Sequence, residues 1–247
     1  MANNRPTLQQ LSNSLTSIGL PTPAAQFLTP ILHPESQTAQ QRPLQVLTAT
    51  AKHRLLSSDI SNANVLSSSK NGCLPSNVSN VERKELILAN DVCVQVLDVE
   101  DIGRSKWEQI EEMEMERKGE MIKGRQVIRV VTDDPDVDST QATTSSPKTS
   151  HGPFKLLLQD MNGNKVYGFE LQKVPNIGLP SMGMSIGSKL MLRKGSKIAR
   201  GVVLLEPKFV LVLGGKIEGM DKQWREGREA KLRATVGEGR VGSGDGA

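Results

Sequence analysis

The sequence predicts an α+β fold, a small N-terminal helical bundle leading into a five-stranded β-barrel, and three observations carry the prediction. Apolar residues recur at helical spacing in three stretches before residue 66. After Asp91 the period drops to two. The last β-like stretch, Val202 to Gly215, reads "VVLLEPKFVLVLGG", two apolar runs divided only by Glu-Pro-Lys. A helix rarely carries so many valines or runs through a proline, so these are two short strands joined at Pro207.

Leu8, Leu11, Leu15 and Ile18 share one helical face that ends at Gly19, and Thr7 stands where a side-chain oxygen can cap the first turn. A second helix is expected from Thr22-Pro23, with Phe27, Leu28 and Ile31 on one face, and a third after Pro43, carrying Leu44, Leu47, Ala51 and Leu55. One apolar stripe each suits a three-helix bundle over residues 1–66. Residues 67–90, with "SSSKNGCLPSNVSN" at their start, read as a connector, because Ser, Asn, Gly and Pro favour turns.

From Asp91, Val92, Val94 and Val96 point one way and Cys93, Gln95 and Leu97 the other, as in a half-buried strand. A helix follows at once: Ser105-Lys-Trp-Glu108 has the form of a capping box, and Trp107, Ile110 and Met113 share a face. From Glu114 to Gly152 run roughly forty residues, more than a compact domain needs as a simple connection. They begin charged, pass a β-like patch at Val127, Ile128, Val130 and Val131, and end in a polar run that is disordered by composition. "FKLLLQ" (Phe154–Gln159) and "KVYGFEL" (Lys165–Leu171) then flank Asn162-Gly163, a hairpin signal in which both central residues take positive φ. "KLMLR" (Lys189–Arg193) and Ala199–Leu205 are expected to pair as a second hairpin around Lys194-Gly-Ser196.

Val202–Leu205 would close the barrel as its fifth strand, and Phe209–Leu213 would cross back over the core before Gly214-Gly215 lets the chain leave. A polar helix anchored by Trp224 lies within residues 217–236, and residues 237–247 form a disordered tail. Strand, long excursion, hairpin, irregular link, hairpin is the plan of an OB-fold over residues 91–216, although an SH3-like barrel also has five strands.

The chain has 247 residues, 36% of them hydrophobic, enough for one core of ordinary size and a smaller helical neighbour. Charge is unevenly placed: nine acids face four bases from Asp98 to Glu120, and ten bases face three acids from Pro153 to Lys216. These are either solvated faces of opposite sign or an acidic element and a basic domain that meet different partners. Cys73 and Cys93 form no CxxC, and His33, His53 and His151 are scattered, so neither a metal site nor a disulfide framework is expected, and Cys93 is assigned to the core. "MANNRPTLQQ" has no secretory pattern, and no apolar stretch approaches the roughly 20 residues of a membrane span, so a soluble intracellular protein without a membrane partner is expected. No Ser/His/Asp or Cys/His grouping occurs, Glu111, Glu112, Glu114 and Glu116 are a charge run, and "GMSIGSK" (Gly183–Lys189) lacks the glycine spacing of a phosphate loop. Neither catalysis nor a cofactor is expected.

"VCVQVLDVEDIGRSKWEQI", "KLLLQDMNGNKVYGFELQKVP" and "GVVLLEPKFVLVLGGKIE" together resemble the N-terminal region of the RecQ-mediated genome instability protein 1 family. The likeness runs from about Ile60 to Trp224, and the strand-to-Gly-Gly ending is its most specific part. It implies a non-enzymatic scaffold subunit of the nuclear complex of a RecQ-type helicase and topoisomerase III, similar to the short fungal form with a single OB-fold. The resemblance implies binding of topoisomerase III through the barrel. It also implies that the insertion enters the DNA gate and biases its opening, which favours dissolution of double Holliday junctions and decatenation. Here that insertion maps to about Glu114–Gly152, and Val127, Ile128, Val130 and Val131 are its candidate partner-binding residues.

The alternative is an OB-fold that binds single-stranded DNA on its own, by stacking bases on aromatics beside a basic groove. Tyr167 and Phe169 alternate to share one face, and Lys165, Lys189, Arg193, Lys194, Lys197 and Arg200 could contact phosphates. Phe169 is assigned to the core, whereas Tyr167 fits core or stacking equally. Aromatics make up only 3% of the chain, so the expectation is weak, salt-sensitive contact with single-stranded or junction DNA.

Overall fold

The computed structural model describes residues 6–33, 42–67, 72–117 and 152–241. Helix α1 (Leu8–Ser17) opens on a capping box: the Thr7 side chain accepts the Gln10 N–H, and the Gln10 side chain accepts the Thr7 N–H. Helix α2 (Ala25–Leu32) starts later than Thr22-Pro23, because those residues are held in an extended tie. Pro23 bridges Leu66, and the Ala24 N–H donates to the Val65 carbonyl. Helix α3 spans Leu44–Ser57. Leu11, Leu15, Leu28, Leu47, Ala51 and Leu55 form the centre of the bundle core.

Eight strands follow: β1 (Leu86–Ile87), β2 (Val92–Asp101), β3 (Phe154–Asp160), β4 (Lys165–Glu170), β5 (Lys189–Leu192), β6 (Lys197–Ala199), β7 (Val202–Leu205) and β8 (Val210–Gly214). They form one curled ladder in the order β1-β6-β7-β4-β3-β2-β5-β8. Strands β2, β3, β4, β5 and β7 are the five of the predicted OB-fold, and β7 closes on β4 in parallel while the other pairs are antiparallel. Their inward side chains, among them Val94, Val96, Phe154, Leu156, Leu158, Leu190 and Val203, make the barrel core.

Several local expectations give way to tertiary context. The first half of strand β2 is buried on both sides: Val92, Val94 and Val96 face the barrel, whereas Cys93 joins the bundle core. Strand β5 does not pair with Ala199–Leu205 but lies between β2 and β8. The chain is redirected at residues 193–196, where the Gly195 N–H donates to the Leu88 carbonyl and the Leu88 N–H to the Ser196 carbonyl. The second hairpin is instead β6–β7, turning at Arg200-Gly201, whose φ values of 48° and 79° suit both central positions of a type I′ turn. Strand β8 runs along the ladder edge against β5 and does not cross the core.

Asn162-Gly163 does make a hairpin, but only Gly163 takes positive φ, and its N–H donates to the Asp160 carbonyl. That is a type I turn followed by a left-handed residue. The Asp160 carboxylate, fully buried, accepts from Asn162 N–H (2.9 Å), Asn164 N–H (2.8 Å), Asn164 Nδ2 (3.0 Å) and Leu74 N–H (2.9 Å). One side chain therefore shapes the turn and pins the connector, whose Leu74 and Val78 enter the barrel core.

The described parts of residues 1–103 and 152–228 form one unit, and those of 104–151 and 229–247 a second. In the second, helix α4 (Lys106–Arg117) begins at the Ser105/Glu108 capping box, and of the expected stripe Ile110 is buried while Trp107, one turn earlier, is 52% exposed. Arg233, in helix α5 (Glu218–Val241), pairs with Glu114 and Glu229. In the first unit Trp224 of α5 lies against the barrel core and donates from Nε1 to Asp98 at 2.6 Å, an anchor as expected with a hydrogen bond that periodicity could not reveal.

Replacing Asp160 by Ala leaves the Leu74 N–H and the turn amides without their acceptor. Chemical denaturation should show a loss of about 2–4 kcal/mol. A loss within experimental error would mean that the turn is held by other contacts.

Candidate interaction surface

Strand alternation and register decide which of the sequence-predicted residues meet. Outward along β4 stand Lys165, Tyr167 and Phe169, with Val166, Gly168 and Glu170 inside. Tyr167 pairs with Leu157 of β3 on one side and Val202 of β7 on the other, and Phe169 pairs with Lys155 and Leu204. Leu157, Val202 and Leu204 are half-buried and point outward as well. Phe169 is therefore not in the core, and Tyr167, 47% exposed, stands in the middle of an apolar face. The Lys155 ammonium lies 4.2 Å from the Tyr167 ring centroid, a cation–π contact that occupies one face of the ring.

The basic candidates divide into three groups. Lys197 and Arg200 are exposed on β6 and at the β6–β7 turn, beside this face, and Lys197 lies 3.7 Å from Glu85. Arg193 and Lys194 lie at the end of β5, where Arg193 lines a cleft of about 480 Å³ with Thr16, Leu20, Leu66 and Met191, away from Tyr167. Lys189 cannot contact a phosphate. It is 1% exposed, and its Nζ donates to the Leu56 carbonyl at 2.9 Å and the Gly187 carbonyl at 2.7 Å. Burial pulls its pKa down to about 8 against the opposing pull of Cys93 and Asp59. The reason for burial is register: Lys189 is opposite Gln95 on β2, and Met191 is opposite Cys93, so this row of the sheet faces the bundle.

The same row carries a polar network. Gln95, fully buried, donates to Asp59 (2.6 Å) and Gln159 (3.0 Å) and accepts the Ile60 N–H (3.1 Å). Burial works to raise the Asp59 pKa, but hydrogen bonds from Ser61 and Gln95 outweigh it and hold the carboxyl below its usual range. Burial pushes the Cys93 thiol up to about 12, so it stays a thiol and is unreactive. Val127, Ile128, Val130 and Val131 lie outside the described residues.

Sequence reasoning missed Leu157, Val202 and Leu204 as surface residues. A signal was there: "KLLLQ" and "VVLL" are continuous apolar runs, and a strand with one solvated face alternates.

Comparison with known proteins follows the barrel closely. The family model described as RMI1, N-terminal OB-fold domain, matches residues 74–228. Two curated proteins named RecQ-mediated genome instability protein 1 are similar. One from Schizosaccharomyces pombe is 31% identical over 167 residues, covering 64% of this chain and 68% of that protein. The other, from Saccharomyces cerevisiae, is 27% identical over 175 residues, covering 62% and 69%.

Lys189 also makes stability depend on pH. Its folded pKa of about 8 lies below the ordinary 10.5, so between those values the unfolded chain holds more protons and stability rises with pH. The stability of the protein relative to its Lys189→Met variant should therefore increase by about 3 kcal/mol across that window. A flat difference, measured by urea unfolding at each pH, would show that the ammonium is not desolvated.

Proposed function

The chain belongs to the RecQ-mediated genome instability protein 1 family, and from that premise we propose that it is a non-catalytic scaffold working with a RecQ-type helicase in genome stability. In this reading it binds topoisomerase III in the nucleus and promotes double Holliday junction dissolution and decatenation. The observation that carries the proposal is the extent of the match: residues 74–228 take in the whole barrel, the insertion and the first turns of α5. An apolar face on that barrel, partly open to solvent among the described residues, supports a role in protein binding.

The insertion would act by population shift. A segment that fits only the open form of a DNA gate stabilises that form by the difference between its affinities for open and closed states. The ordering of such a segment costs entropy, so Val127, Ile128, Val130 and Val131 would have to bury apolar surface in return. Contact with DNA would be weak and salt-sensitive, since Lys189 is withdrawn from the basic set.

Replacing those four residues together with Ser should bring decatenation down to the level of topoisomerase III alone while the barrel stays folded. Full stimulation by the folded variant would remove the insertion from the mechanism.

A further inference from the structure

Helix α4 ends at Arg117, where the insertion takes over, and burial does not hold its last turn. Gln109 and Ile110 are buried earlier in the helix, whereas Met115, Glu116 and Arg117 are exposed. The last carbonyls of a helix have no partner inside it, so a polar final turn frays at almost no cost in free energy. The second half of α5 is no better placed by itself. Beyond Arg228 it is polar, carries Gly237, and has only Leu232 and Val236 half-buried, one turn apart. So short and polar a stretch does not stand as an isolated helix.

Charge joins the two, both within the second unit. Arg233 pairs with Glu114, Arg117 lies 3.4 Å from Glu229, and Arg233 reaches Glu229 along its own helix at 2.8 Å. Going up α4 from Glu114 to Arg117 means going down α5 from Arg233 to Glu229, so these turns meet antiparallel. The result is a row of alternating sign, Glu114–Arg233–Glu229–Arg117, in which each inner charge serves two neighbours. A single exposed ion pair contributes little, but in a shared row the side chain ordered for one pair is already in place for the next. The acidic run of α4 is thereby divided: Glu112 is taken by Arg104 at 2.7 Å and Glu114 by Arg233.

From this row we infer that Arg233 and Glu229 are positioning residues for the insertion: they fix the last turn of α4 and with it the direction in which the chain enters the segment; the functional half rests on the scaffold reading above. A segment that starts from a fixed turn loses less freedom when it reaches a partner than one that starts from a frayed turn.

The test joins hydrogen exchange of the full chain, read by mass spectrometry, to its stimulation of decatenation by topoisomerase III. Arg233→Glu sets like charges beside Glu114 and Glu229, and exchange of residues 113–117 should quicken at least about fivefold at low salt. The difference should shrink at high salt, and stimulation should fall severalfold. Reversing all four charges together (Glu114→Arg, Arg117→Glu, Glu229→Arg, Arg233→Glu) restores the alternation and should bring both readings back. Lys222→Glu, which breaks a pair lying within α5 alone, is the control and should leave both as they were. Unchanged exchange in Arg233→Glu would overturn the inference and leave the scaffold reading intact. Quickened exchange with full stimulation would overturn the positioning role. Exchange rescued by the full reversal without rescue of stimulation would also overturn it, and would assign these charges to direct contact with the partner. Absence of stimulation by the unaltered chain would overturn the scaffold reading and the positioning role with it.

Discussion

Strand β5 and the first half of β2, Val92–Val96, have no solvent face, and the arrangement of the first unit follows from that constraint. Val92, Val94, Val96, Leu190 and Leu192 fill the barrel, while Cys93 and Met191 fill the bundle core from the other side of the same two strands. A wall buried on both sides must satisfy every polar group within it. Gln95 does so through Asp59, Ile60 and Gln159, and Lys189 through the Leu56 and Gly187 carbonyls. These contacts also join bundle to barrel, since Leu56, Asp59 and Ile60 belong to the end of α3 and the segment after it. Removing one member would leave a buried polar group unpaired, which costs more than the bond itself contributes.

The same constraint decides what is left for a partner. With one side of the β2–β5 wall covered by helices and α5 tied to Asp98, the outward side chains of β3, β4 and β7 are left partly open to solvent among the described residues. Gly168 sits inside β4 because a Cβ there would come within 3.0 Å of Leu158 and 3.1 Å of Leu205, so the strand lies close on the core and carries its bulk outward, in Tyr167 and Phe169. A family whose matched region is this barrel and whose members bear the name RecQ-mediated genome instability protein 1 gives that surface a context.

Local features were legible because they depend on neighbours in sequence. Thr7, and Ser105 with Glu108, cap their helices as read, and the stripe Leu47, Ala51, Leu55 is buried as read. Trp224 was recognisable as an anchor because it is the one aromatic residue in a polar helical stretch. What failed depends on distant chain. Val92–Leu97 looked half-buried because alternation cannot show that a bundle covers the second side. Lys189 looked solvated for the same reason, although it heads the apolar run "KLML". The partner of β5 is set by backbone contacts of Gly195 and Ser196 with Leu88, which leave no trace in residue type. For the outward face, the unbroken runs in β3 and β7 were the available clue, and they were read only as core.

Bundle and barrel act as one platform only if the two open together. Native-state hydrogen exchange tests that most directly. If the shared wall fuses bundle and barrel, the slowest amides of α1 and α3 should exchange with the same opening free energy as those of β2 and β3, through one global unfolding. Exchange of the helices through a cheaper opening, with the barrel amides still protected, would contradict it.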